Sequence, residues 1–557
     1  MKKALLLLVV TGSYYGALAQ SAYLPYDADE YHRVQRLEIR SGSFSPFFHS
    51  SVAPYSRRDM VRFADSFSIQ GHPISFVDFQ YLNYIQLDNP DWSGSESGVR
   101  RPVLNYFYPQ QSAMIYHDQG DFSIRVNPVL NLQSGRDFAR NENLYTNSRG
   151  VEALGQIGKK IGFYSYMTDN IVKAPYYLRQ FSDSVGNYPT AGLTKTLGNN
   201  TYNFLQARGY ITFSPIKDVL KIQFGNDRNF IGDGYRSFMF SDFGRAYLFL
   251  KINTKIWKFN YQNLYAQMVQ PPGGGDINRS IKKYIAFHHL SYNITKSLNV
   301  GVFETIVFDR TDSTGYNAGF DANYLNPVIF YRSVEHGLNS SDNAMLGMNA
   351  KWNFLHHFQM YGQLTIDELK IDEYIHNHGW WGNKYAAQVG LKIIDALIPN
   401  LDLQYEFNTV RPYTFMHFKL SQNYTNFQTP IGHPSGANFR EHIALLTYRP
   451  NKKWTFYGTY IFNQKGLDSD SLNWGGNIMT NTYNNYVSEY GNHTGQGALT
   501  NVNLIQLRLS YEVFHRMYLE AVWLYRDSRS PIPAYTSKTS MLSLGLRMNM
   551  ARPRNLF

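Results

Sequence analysis

The chain has 557 residues, 53 Lys+Arg against 42 Asp+Glu and a formal net charge of +11, yet charged residues make up only 17% of it. Soluble proteins typically carry about 25% charge, and the 16% of aromatic residues here is too high for intrinsic disorder. With no cysteine, disulfide scaffolds, thiolate zinc sites and thiol nucleophiles are excluded together.

The N-terminus has the build of a secretory signal peptide over residues 1–19. Lys2 and Lys3 form a basic region, Ala4 to Val10 an apolar one, and Ala17-Leu18-Ala19 a small-residue cleavage site before Gln20. The apolar run is too short to span a bilayer. Cleavage near Ala19 removes two lysines and leaves a charge of about +9. No Cys follows the site, which excludes a lipoprotein anchor. Past residue 20 no uncharged apolar run approaches the ~18 residues of a spanning helix, so a helical membrane bundle is excluded as well.

Residues 20–118 read as an N-terminal region with about three short helices. DEYHRVQRLEIR, from Asp29 to Arg40, has acids first and bases last and stops at Ser41-Gly42, which suits a helix dipole. Ser56 and Asp59 resemble a capping box ahead of Met60, Phe63, Ala64 and Phe67, spaced i, i+3, i+4, i+7. Ser75 and Asp78 repeat the box before FQYLNYIQLDN, which ends at Pro90.

From 119 to 557 the period becomes two. Phe122, Ile124 and Val126 alternate with Ser123, Arg125 and Asn127, and Leu401, Leu403, Tyr405 and Phe407 with Asp402, Gln404, Glu406 and Asn408. Such alternation gives a strand one apolar and one polar face. Eighteen strands fit, the first two at 120–132 and 148–157 and the last at 539–549. Tight connections (158–160, 254–255, 355–357, 450–452) alternate with long ones, of which 169–202, 309–342, 411–438 and 464–501 are the largest. A sandwich has no reason to gather its long loops at one end, whereas an antiparallel outer-membrane β-barrel does. Trp257, Trp352 and Trp454 lie beside tight turns on the apolar face, where an interfacial aromatic girdle belongs. The polar face is expected to carry Arg125, Arg208, Lys258, Lys351, Glu406, Arg440, Arg508, Glu512 and Arg547 as ion-pair and amide networks in the lumen, or as a basic conduit for anionic solutes.

Several segments then show a family likeness: LEIRSG and PYSRRD near the N-terminus, GVEALGQIGKKIGFYSYMTDN from Gly150, IGDGYRSFMFSDFGRAYLFLKIN from Ile231, YLNPVIFYRS from Tyr324 and NTVRPYTFMH from Asn408. In combination they resemble the Wzi capsule assembly family of outer-membrane proteins, in the Bacteroidota-type branch that includes RemB-like gliding-motility accessory proteins. The resemblance implies an eighteen-stranded barrel with a periplasmic helical bundle and a lectin-like role, holding capsular or exopolysaccharide at the cell surface.

Sugar binding needs aromatic faces for the apolar side of a pyranose and planar polar groups for its hydroxyls. The long loops supply Trp380 and Trp381 in HNHGWWGN, and Trp474 with Tyr483 and Tyr486 in SLNWGGNIMTNTYNNY. Packing of loop against loop over the barrel mouth would use the same rings. Tyr235 and Arg236, Tyr331 and Arg332, and Arg411 lie in the family-like strings, and all five suit an inward-folded constriction as well as a sugar site. Enzyme signals are poor: no G-x-S-x-G, HExxH or GxxxxGK[ST] occurs, and no catalytic residue, cofactor or metal is expected. His376-Asn377-His378 suits a solvated loop better than a metal, and Asp468 and Asp470 suit an Asx-rich turn better than a calcium loop. The expected partners are a surface polysaccharide and the lipid and lipopolysaccharide of the outer membrane, with no nucleic acid, for a monomer. A porin-like channel and an accessory of gliding or adhesin machinery remain the competing functions.

Overall fold

The computed structural model describes residues 21–557 except 27, 70–73, 94–107, 109, 159, 271–279, 313, 332–341, 377, 483–484 and 553. Among the described residues eighteen long strands close a barrel. They are β1 (Phe122–Asp137), β2 (Glu142–Ile157), β3 (Ile161–Lys173), β4 (Thr201–Ile216), β5 (Leu220–Asp227) and β6 (Tyr247–Ile256). Next come β7 (Phe259–Gln270), β8 (Ile281–Asn293), β9 (Leu298–Phe308), β10 (Asn343–Phe354), β11 (Phe358–Glu368) and β12 (Lys384–Ile393). The wall is completed by β13 (Leu401–Val410), β14 (Phe439–Tyr448), β15 (Trp454–Leu467), β16 (Ala498–Phe514), β17 (Met517–Arg529) and β18 (Ser537–Met548). Each pairs antiparallel with its neighbours, and β18 closes on β1 from Met541↔Asp137 to Met548↔Leu130. The short strand Ile115–Asp118 pairs with the lower part of β1 beyond that point, Ile115 facing Val126. Among the described residues no helix is long and apolar enough to cross a membrane.

Alternation explains which side of each strand faces out. On β13 Asp402, Glu406 and Asn408 are buried in the lumen while Tyr405 is exposed on the outer wall. On β18 the outward Leu544 is 64% exposed between inward Ser543 and Gly545. An outer surface of exposed Leu, Ile and Phe is stable only against lipid. Trp257, Trp352 and Trp454 are all exposed on this surface at the tight-turn end.

Two expectations need correction. The spacing predicted a loop over 133–147, but β1 and β2 run on as a hairpin joined by residues 138–141. Outward positions turn polar there (Ser134 and Arg136 after Leu132, Arg149 after Val151), so the hairpin rises out of the apolar band and both its faces meet water. Hydrophobic alternation cannot mark a strand under those conditions. The inward set also loses two members. Arg440 is exposed on the outside, with Phe439 and Glu441 the buried residues on either side. Lys258 sits in a tight turn, its ammonium donating to the Ile294 carbonyl at 3.3 Å.

The N-terminal segment forms α1 (Ala28–Ser41), α2 (Arg57–Ile69), α3 (Phe76–Asp88) and the single turn α4 (Pro90–Ser93). Asp29 and Glu30 begin α1 and Arg40 ends it, in accord with the helix dipole. Ser75 caps α3 in a reciprocal box with Asp78. Val34 and Leu37 of α1, Met60 and Phe63 of α2, and Tyr81, Leu82 and Ile85 of α3 share one apolar core. This core sits at the tight-turn end. Arg36 is fully buried, bonded to Asp78 at 2.8 Å and to Asp395 at 2.9 Å, and also paired with Asp402; Arg58 and Arg62 meet Asp218, and Arg57 and His515 meet Asp88. The three helices gain a rigid seat by clamping to several turns of the wall at once.

Candidate functional site

The loop 228–246, which carries IGDGYRSFMF, enters the lumen from the long-loop end. Phe230 and Ile231 pair antiparallel with Ala53 and Val52 of the N-terminal segment, so the two inserts meet inside the barrel. Phe238, Met239 and Phe240 are buried there against wall residues Phe249, Phe287 and Phe303. The glycines of IGDG are needed for close approach. A Cβ on Gly234 would lie 2.4 Å from Glu406 Oε2, and Gly232 holds φ +145°. At the meeting point Lys351 donates to Ser50 Oγ (2.5 Å) and to Asp233 Oδ1 (2.9 Å), and Ser51 donates to Asp233 as well. Lys392 adds bonds to the Asp233 carbonyl (2.6 Å) and to Gln35 (2.8 Å). His49, buried here and bonded to Ser291, is held at a pKa of about 3 by burial and by nearby Lys351.

Tyr235 and Arg236 therefore lie inside the barrel. Their backbone N–H groups donate to the two oxygens of Glu406 (2.6 and 3.0 Å), and the Arg236 guanidinium reaches Glu441 (3.4 Å) and the Leu556 carbonyl (2.5 Å). The tail 554–557 folds back into the lumen too, with Phe557 edge-on to Tyr177, Phe181 and Phe243. Among the described residues these inserts leave two main cavities. One, of about 140 Å³, is lined by Arg33, Arg36, Lys392 and Arg554 beside α1; the other, of about 160 Å³, lies under the helix α5 (Tyr176–Val185), beside Gln133 and Tyr177. Leu556 lines both.

The long-loop end is roofed by the described residues of 369–383, 411–438 and 468–497. Trp381 is spent on this roof, stacked on Tyr486 (4.3 Å, 10°) and edge-on to Tyr413 (6.0 Å). Arg411 staples the same loops from below, donating to the carbonyls of Asn383 (2.9 Å), Asn492 (3.2 Å) and Trp380 (3.4 Å). Trp474 anchors its loop through its backbone: its N–H donates to Asp468 (2.8 Å), and its carbonyl accepts from Gln496 (3.0 Å). Burial raises the Asp468 carboxyl above the usual carboxylate range, and backbone N–H groups of Gly476 and Trp474 partly offset this. Asp468 thus acts in an Asx-type turn.

Trp380 is the half-buried exception. It flanks a surface that spacing alone did not reveal, where the exposed rings of His376 and His378 stack at 5.6 Å and Tyr490 meets His378 edge-on at 6.1 Å. Lys370 lies 5.6 Å from the Trp380 ring and bonds Glu373, which also faces His378 at 3.4 Å. Residues 378–379 and 491–492 exchange backbone hydrogen bonds, Gly491 to His378 and Asn492 to Gly379, both at 2.9 Å, which is how Tyr490 reaches the tryptophan loop. Tyr331 is exposed in the loop 309–342; Arg332 lies outside the described residues. Among the described residues no group of three or more His, Asp or Glu side chains could hold a metal ion.

No protein-family model matches the chain, and no curated protein matches it. Among solved structures it is similar to Wzi of Escherichia coli, an outer-membrane protein involved in group 1 capsule assembly and described as a carbohydrate-binding β-barrel. The TM-score is 0.56 at 13% identity, covering 96% of this chain and 100% of that one. OprD of Pseudomonas aeruginosa (TM-score 0.40, 10% identity, 77% of this chain and 94% of that) and OpdQ of the same organism (0.41, 10%, 77% and 98%) are looser likenesses. At such identity the likeness to Wzi establishes the fold alone: a closed, eighteen-stranded antiparallel barrel of the outer-membrane kind.

Proposed function

We propose that this protein is an outer-membrane barrel that binds a surface polysaccharide, capsular or exopolysaccharide, through its long-loop roof. The observation that carries this reading is the junction of Val52–Ala53 with Phe230–Ile231, two inserts from opposite ends that meet inside the barrel and obstruct its lumen. An obstructed lumen speaks against free diffusion of solutes and favours the surface as the working part. On that surface the rings of Trp380, His376, His378 and Tyr490 stand beside Lys370 and Glu373, which pairs apolar faces with charged hydrogen-bonding groups, as sugar recognition requires. The carbohydrate binding described for Wzi supports the same role. In this reading residues 1–19 export the chain, α1–α3 lie on the periplasmic side, and the protein works as a monomer without a cofactor.

The test is twofold. Deletion should release polysaccharide from the cells into the medium, and the purified protein should retain that polysaccharide on a column. If the deletion strain keeps its polysaccharide and the protein passes it unbound, the proposal fails.

A further inference from the structure

The cavity under α5 has an ordered wall. Asn131 of β1 faces Ser148 of β2, Ser148 faces Asn170 of β3, and Asn170 faces Phe204 of β4, each pair directly opposite in the ladder. Opposed side chains on one face of a sheet stand about 5 Å apart. The four therefore make one unbroken row on the inner wall, and all four line the cavity. The row is buried, with Asn131 7%, Ser148 2% and Asn170 1% exposed. Yet the side chains of Asn131 and Ser148 make no hydrogen bond among the described residues. Asn170 uses only its amide nitrogen, which donates to Thr168 Oγ1 (3.1 Å) and to the Phe204 carbonyl (3.2 Å), and its Oδ1 is unengaged. Buried polar groups are normally satisfied, so three adjacent ones left open on a cavity wall point to a ligand or to water.

The rest of the lining favours a ligand. Phe204 is stacked on Tyr188 (4.9 Å, 18°) at the end of the row, and Leu178 of α5 with Val522 and Leu524 of β17 supply an apolar side. Water gains nothing from such walls, whereas a pyranose has an apolar face as well as hydroxyls. Charge is balanced. Arg508 and Arg547 both meet Glu520 (2.8 and 3.0 Å), Arg547 also lies 4.0 Å from Asp29, and Lys173 belongs to the outward row of β3. An ionised ligand would find no spare counter-charge there. The volume is about 160 Å³. A cavity of about 150 Å³ accepts a benzene molecule, so the space suits one six-membered ring.

We propose that this cavity binds a single neutral sugar ring, its hydroxyls met by Asn131, Ser148 and Asn170 and its apolar face by Leu178, Val522 and Leu524. No residue of the roof lines the cavity, so the site is separate from the one in the polysaccharide reading. The experiment takes the full-length protein in a detergent without a sugar headgroup. Binding of D-glucose, D-galactose, D-mannose and N-acetyl-D-glucosamine is read by saturation-transfer NMR. At least one should give a saturable signal that cyclohexanol, a ring with a single hydroxyl, does not displace at equal concentration. Asn131→Leu/Ser148→Leu, which removes two polar groups and fills the space, should weaken that binding about tenfold or more. Ser134→Leu, on the outer face of β1, should leave it unchanged. If the double variant does not fold, as judged by heat-modifiable gel mobility, Ser148→Ala should weaken binding about threefold. No signal from any of the four sugars, which would leave the cavity to water, overturns the proposal. A signal unchanged in the site variants overturns it too, by placing the sugar elsewhere, as does equal displacement by cyclohexanol.

Discussion

Lys351 on the barrel wall donates 2.9 Å to Asp233, which rides on a loop entering from the opposite end of the barrel to the N-terminal segment, whose Ser50 Lys351 also bonds. One ammonium therefore ties three separate parts of the chain together. Replacing it with Met would leave Asp233 buried without its cation, at a cost of about 3–5 kcal/mol. We expect Lys351→Met to loosen the plug. In planar bilayers the wild type should show no steady conductance and the variant should show intermittent openings. Steady conductance in the wild type would contradict an obstructed lumen.

Trp380 and Trp381 are adjacent in sequence but differ in what surrounds them. Trp380→Ala, which removes a half-exposed ring, should weaken polysaccharide retention about three- to tenfold with little change in melting temperature. Trp381→Ala, which removes the ring stacked on Tyr486, should instead destabilise the roof by up to about 3 kcal/mol. Parallel melting curves and glycan-column retention distinguish the two.

The plug should respond to pH through His49. Its pKa is depressed to about 3 from the ordinary 6.5, so the folded state binds fewer protons than the unfolded one between those values. Its contribution to stability is complete above about pH 6.5 and falls away as pH drops toward 3. Hydrogen exchange of residues 48–53 should accelerate between pH 6.5 and 4, and His49→Gln should flatten that dependence. An unchanged slope in the variant would assign the effect to other groups.

The lipid-facing band can be tested on its own. Leu544→Arg should cost about 2–4 kcal/mol if that position is near the bilayer midplane, measured by reversible urea unfolding in lipid vesicles. Arg440→Leu, beside the strand end, should change stability by less than about 1 kcal/mol.

What could be read from the residues alone follows from locality. Period-two alternation, the capping box at Ser75–Asp78 and the placing of tight turns are properties of neighbouring residues, and the barrel class follows from them. Residues 133–147 escaped because a strand leaving the membrane has water on both faces and loses its alternating signature. Arg440 was misplaced because, at a strand end, inward and outward positions can both be polar. The rings at His376, His378 and Tyr490 were invisible as a group because they come together only through the backbone bonds between 378–379 and 491–492.

By itself the sequence determined the class of molecule: an alternating chain with tight turns at one end can bury its backbone polar groups in a bilayer only by closing into a barrel. The path of the inserts inside that barrel was set by tertiary contacts alone. Tyr235 and Arg236 sit in a stretch without regular periodicity, and a loop's path depends on which distant carboxylates and apolar surfaces receive it. Glu406, Glu441 and the pairing of Val52 with Ile231 supply those receptors. Their contacts span well over a hundred residues of chain, a distance at which local pattern carries no information.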